Sequence, residues 1–116
     1  MKANEYQALA ERTLIASPDF QITPDQVMLV WNAIGLAGEA GEVAELAKKQ
    51  IFHQQGLDVE KWKKELGDVL WYVAACCTRL GLSLEDVMQH NVDKLRARYP
   101  KGYTPQRSTF RDGAAE

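Results

Sequence analysis

With 116 residues, 46% hydrophobic and 26% charged, the chain is long enough for one globular domain whose core needs neither disulfides nor structural metal. A net charge of −2 and a pI near 5.7 argue against a general nucleic-acid or membrane-surface role. They leave room for a small anionic ligand, because Lys and Arg are frequent over residues 94–101 and absent from 33–47.

The pattern predicts four helices and no strand. The first covers residues 4–16 and ends before Ser17-Pro18. Glu5 and Glu11 interrupt any apolar leader there, so a cytoplasmic location is expected. The second starts at Thr23-Pro24-Asp25, an N-cap followed by proline at the first helical position, and runs with a bend to about His53. Its uncharged run over residues 26–38 is too short to cross a bilayer. Gln54-Gln55-Gly56 closes it.

The third helix is capped by Asp58 and stopped by Gly81. Trp62, Leu66, Val69, Leu70, Val73, Cys77 and Leu80 form one face of a 3.6-residue period, the expected core stripe. Cys76 and Cys77 diverge on a helix and read as unpaired side chains in a reducing compartment. The fourth helix starts at Ser83, with Asp86 at the capping-box position, and runs to about Arg98. Short connections favour antiparallel neighbours, hence an all-α, four-helix antiparallel bundle. The whole chain, 1–116, is expected to be one domain, with its core over about 24–103 and an irregular tail over 104–116.

The informative feature is a set of carboxylates. Residues 33–47 read AIGLAGEAGEVAELA, whose only polar side chains are Glu39, Glu42 and Glu45. Glu39 and Glu42 lie about 60° apart on one helical face, with no cation three or four residues away. Asn32, Lys49 and His53 project from roughly the same side. Like charges at that spacing repel, and acids withdrawn from water need a compensating cation. Glu45 differs: Lys48 and Lys49 can pair with it locally. Glu65 and Asp68 repeat the i, i+3 arrangement beside Tyr72. With Lys61 and Lys64 one turn before them, these two taken alone read as a solvated face. Antiparallel packing would bring both acidic pairs to one site. Four oxygen donors suit a hard ion, Mg²⁺ or Mn²⁺, and suit zinc poorly.

Other residues divide less sharply. Gly35, Gly38 and Gly41 cost helical stability, and they read either as close helix contacts or as room for a ligand. His53 and His90 are isolated and read as surface residues. Trp31, Trp62 and Trp71 read as core or subunit contacts, with stacking on a base as the alternative. Asn91, Lys94 and Arg98 form a row that is either a solvated basic helix end or a phosphate grip.

Gly38-Glu39-Ala40-Gly41-Glu42-Val43, followed by Glu65-Leu66-Gly67-Asp68-Val69-Leu70, gives ExxE then ExxD on successive helices. This pattern resembles the MazG-like nucleotide pyrophosphohydrolases, members of the all-α NTP pyrophosphatase superfamily. Lys94-Leu95-Arg96-Ala97-Arg98-Tyr99-Pro100 is similar to that family's closing segment. The likeness spans about residues 32–103. It implies Mg²⁺-dependent hydrolysis of a (d)NTP to the monophosphate and pyrophosphate, serving nucleotide-pool house-cleaning. By the same resemblance Glu39, Glu42, Glu65 and Asp68 would be metal ligands, with Glu42 the candidate base. Tyr72 would contact substrate, Lys49, Asn91, Lys94 and Arg98 would meet phosphate, and Asn32 would meet sugar or base. The resemblance also implies a homo-oligomer, dimer or tetramer, and the nearly all-apolar run over residues 69–77 is compatible with one.

Competing readings share the residues. A dUTP/dCTP-specific or phosphoribosyl-ATP pyrophosphatase would use the same acids. A non-catalytic carboxylate metal carrier would too, although no Glu-x-x-His pair of the di-iron type occurs. A helical partner-binding module is the third class.

Overall fold

A computed structural model describes residues 1–17, 19–103 and 105. The 104–116 tail expected from sequence lies almost wholly outside the described residues. Four helices follow one another: α1 (Ala3–Glu11), α2 (Pro24–Ala47), α3 (Val59–Leu80) and α4 (Leu84–Arg98). The expected all-helical class is met, and no strand occurs among the described residues.

Local chemistry sets the helix ends. At the start of α2, Thr23 Oγ1 accepts from the Gln26 amide at 3.1 Å and Gln26 Oε1 accepts from the Thr23 amide at 3.0 Å. Asp58 caps α3 by accepting from the amides of Glu60 and Lys61. Gly81 ends it in the left-handed region, φ 68°, while the Leu82 amide returns to the Cys77 carbonyl at 2.8 Å. Ser83 Oγ accepts from the Asp86 amide and opens α4. The first helix is shorter than expected. Beyond Glu11, Thr13 turns its hydroxyl onto the Ala10 carbonyl at 3.0 Å, a local bond that competes with helical continuation.

The expected bend in the second helix is a change of winding. After Ala47 the backbone passes into a π-helical turn, Lys48–Phe52, and the His53 amide bonds five residues back to Lys48. Gln54 and Gly56 then take positive φ, 56° and 89°, and reverse the chain into α3.

Helices α2 and α3 form an antiparallel hairpin. From one end to the other, Asn32 meets Arg79, Gly35 meets Tyr72, Glu39 meets Asp68, and Gln50 meets Trp62. The Tyr72 ring lies where a Gly35 side chain would stand, so this glycine is a close helix contact. A Cβ at Gly38 or Gly41 would meet open space. Those two glycines therefore serve no contact between the described helices.

The closed single-chain bundle is not what forms. Among the described residues only α2 and α3 pack extensively on each other. Cys77 is the sole buried apolar residue among them. The radius of gyration is 20.4 Å, against roughly 13 Å for a compact chain of this length. Of the expected core stripe, Leu66, Leu70 and Leu80 remain exposed. On α2, Val27, Val30, Trp31 and Ile34 form a second apolar stripe that faces outward. On α4, Met88, Val92 and Leu95 do the same.

Candidate metal centre

The hairpin brings carboxylates from both helices to one point near its middle. Glu39 sits on α2, four residues after the close approach at Gly35. Glu65 and Asp68 sit one turn apart on α3, and Asp68 is one turn before Tyr72. The side-chain oxygens of Glu39, Glu65 and Asp68 lie within 4.8 Å of one another, and all three residues are half-buried. Oxygens bound to a single Mg²⁺ stand at most about 4.2 Å apart, so the three are close to a chelating spacing. The donor set is entirely oxygen, which fits a hard divalent ion.

Electrostatics support the same reading. The Glu39 carboxyl is held above its ordinary value of 4.5, first by desolvation and then by the charges of Asp68, Glu65 and Glu42, with Lys64 opposing. Lys64 is the nearby cation: its Nζ is 3.6 Å from Glu65 Oε1 and 4.0 Å from Asp68 Oδ2. The lysine end is largely exposed. It offsets part of the negative charge but leaves an excess that a dication would neutralise.

Glu42 is not among the three converging oxygens. It lines an adjoining recess of about 380 Å³ together with Glu65, Lys49 and Lys61. Glu45 is paired as its sequence neighbours predict, 4.0 Å from Lys48 Nζ and 3.8 Å from Lys49 Nζ.

The remaining residues singled out by sequence are scattered. Tyr72 is in the hairpin interface, with the Trp71 ring edge-on to it at 4.9 Å. Asn32 is buried, and its Oδ1 accepts from Arg79 Nε at 3.2 Å. That atom is committed to the hairpin. Asn91, Lys94 and Arg98 lie on α4, which does not pack extensively on α2 or α3, so this chain does not gather them at the cluster. Arg98 is buried, with its guanidinium carbon 5.9 Å from the centre of the Tyr99 ring. Trp31 and Trp71 are exposed rather than core. Trp62 is half-buried and donates to Gln50.

Sequence reasoning passed over Gln50 and Arg79, each of which ties the two helices together. Neither residue type nor spacing marks them, because each acts through a partner eight or more residues away.

Residues 32–103 match the family described as the MazG nucleotide pyrophosphohydrolase domain. The chain belongs to that family. The matched region holds the whole hairpin from Asn32 onward, the acidic cluster and α4. The chain is also similar to the Gene 37 protein of Mycobacterium phage L5, 38% identical over 78 residues, covering 64% of this chain and 68% of that protein. No solved structure matches. Family and acidic cluster together support a metal-associated hydrolase activity of the MazG kind. No described helix is long and apolar enough to cross a membrane.

Proposed function

We propose that this MazG domain is a Mg²⁺-dependent nucleoside triphosphate pyrophosphohydrolase. It adds water across the α–β phosphoanhydride of a (d)NTP and releases the nucleoside monophosphate and pyrophosphate, keeping a cytoplasmic nucleotide pool clean. The observation that carries the reading is the convergence of Glu39, Glu65 and Asp68 within 4.8 Å, in a chain of this family.

Glu39, Glu65 and Asp68 would hold the ion, with Glu42 on its recess side. When bound, Mg²⁺ (or Mn²⁺) neutralises the triphosphate and acidifies a water. Glu42, outside the three converging oxygens and beside Lys49, takes the proton of the attacking water. Tyr72 borders the substrate one turn beyond Asp68, and Lys49 faces its phosphates. Asn32 acts from behind, by fixing the hairpin through Arg79.

The working enzyme is a homo-oligomer. The chain exposes 9953 Å², where a compact chain of its mass would expose roughly 6,400 Å². The excess exceeds what a stable dimer interface needs. The outward stripes of α2 and α4 supply matching apolar faces. Packing α4 of a second copy against the hairpin would deliver Asn91, Lys94 and Arg98 to the phosphates.

Pyrophosphate release across a panel of standard, oxidised and methylated nucleotides tests the reaction and finds the preferred base. Glu42→Gln is expected to lower turnover by about a hundredfold or more with helix content retained. An unchanged rate in that variant removes Glu42 from the mechanism.

A further inference from the structure

Gln50 is a buried polar residue on the π-helical turn and has no part in the chemistry above. Its Oε1 accepts two hydrogen bonds, from Trp62 Nε1 at 2.7 Å and from the Asp58 amide at 3.1 Å. Both lone pairs of one oxygen are thus spent on the start of α3. The segments it joins carry the two lysines of the recess. Lys49 precedes Gln50 on the turn, and Lys61 precedes Trp62 on the first turn of α3. The Lys61 amide is itself held by the Asp58 side chain. Glu42 and Glu65 line the same recess, beside the acidic cluster.

A π turn inserted in an α-helix is held by its surroundings rather than by its own propensity, and such turns favour functional sites. Here the side-chain tie to α3 is the Gln50 amide oxygen, beside the backbone bond from the Gln55 amide to the Lys49 carbonyl at 3.3 Å. Without that tie, Lys48–Phe52 could rewind toward α-helical register, which would free the turn from the start of α3 and loosen the spacing between Lys49 and Lys61.

We infer that Gln50 is a positioning residue: through Trp62 and Asp58 it holds Lys49 and Lys61 across the recess from Glu42 and Glu65, where they receive the phosphate chain of the substrate. The inference rests on the proposed pyrophosphohydrolase reading. It predicts an effect on substrate capture greater than on the bond-breaking step, because the metal carboxylates stay in place.

The test is steady-state pyrophosphate release by the wild type, Gln50→Leu, Lys49→Ala/Lys61→Ala and the combination of all three changes. Gln50→Leu should raise KM about tenfold and change kcat less than about threefold. Added to the lysine double variant it should cost little more, since the lysines are what it positions. The pair Gln50→Leu/Trp62→Phe removes the stranded indole donor. It should regain thermal stability without regaining KM. Should Gln50→Leu fail to fold, Trp62→Phe alone, which leaves the Asp58 bond, should give a smaller KM rise in the same direction. Independent, multiplying losses from Gln50 and the lysines overturn the inference, as does a KM restored together with stability. A wild-type chain that hydrolyses no nucleoside triphosphate overturns the proposed reaction and this inference with it. An active wild type with multiplying losses overturns the inference alone.

Discussion

The α2–α3 hairpin is richer in apolar residues and poorer in charged ones than the flanking helices α1 and α4, and the two parts end in different states. The hairpin fixes its own register, although its outer face keeps Trp31, Ile34, Leu70 and Trp71 exposed. Asn32–Arg79, Gly35–Tyr72 and Gln50–Trp62 fix its register, and the acids between these ties converge as a consequence. Ser83 caps α4, but the apolar residues of α1 and α4 meet little of the same chain. A metal site can therefore be preorganised within one copy, while the surface around it waits for another. The difference teaches that the chemistry and the stability of this domain have separate origins.

Four changes would break or sharpen that contrast. The largest effect is expected at the cluster. Glu65→Gln or Asp68→Asn should lower metal-dependent turnover by about a hundredfold or more while circular dichroism stays helical. A loss of helix with either variant would mean that the acids hold the fold and not the ion. Next is the surface. Leu70, 61% exposed in the single chain, should become a contact on assembly. Leu70→Asp is expected to shift sedimentation equilibrium from oligomer to monomer and to lower the melting temperature. A wild-type chain that sediments as a stable monomer would refute the contrast.

Within the hairpin, Gly35→Ala should destabilise by about 1–3 kcal/mol, because the new methyl enters the space of the Tyr72 ring. Gly38→Ala, with open space around it, should gain up to about 1 kcal/mol from helix propensity in the monomeric Leu70→Asp background. Denaturant midpoints compare them directly. If Gly38→Ala instead weakens the oligomer, that glycine belongs to the subunit contact.

The smallest effect concerns pH. Because the Glu39 carboxyl is raised above 4.5 in the fold, the folded chain binds more protons than the unfolded chain between that value and the raised one. Metal-free stability should therefore rise as pH falls through this window, whereas metal affinity should fall there. Thermal melts with and without Mg²⁺ across mildly acid pH read both signs. Melts that decline in parallel would remove Glu39 from the ion's ligands.

Much of this was legible in the residues themselves. Thr23, Asp58 and Ser83 announce helix starts because capping is a local bond between a side chain and amides two or three positions away, and Gly81 announces an end because a residue without a Cβ takes positive φ there. Glu39, Glu65 and Asp68 stood out because no local cation answered Glu39 and because both pairs repeat one spacing. The pairing of Glu45 was equally local. Three features escaped. The π turn is tied to α3 by Gln50 meeting Trp62 twelve residues on, a tertiary contact that the sequence pattern does not mark. The separation of Glu42 from the other three oxygens depends on how the hairpin is rotated about its axis. The open arrangement of α4 escaped for the opposite reason: its apolar stripe is the pattern of a helix that packs, and sequence does not say whether the packing partner is the same chain.

The central claim is that the carboxylates of the hairpin hold a divalent ion that serves α–β anhydride hydrolysis. Phosphorus NMR of a nucleoside triphosphate turned over by the wild-type chain with Mg²⁺ tests it most directly. The account predicts nucleoside monophosphate and pyrophosphate in equal amounts, abolished by chelation and by Glu65→Gln. Release of orthophosphate with a nucleoside diphosphate, or turnover indifferent to chelation, would contradict it.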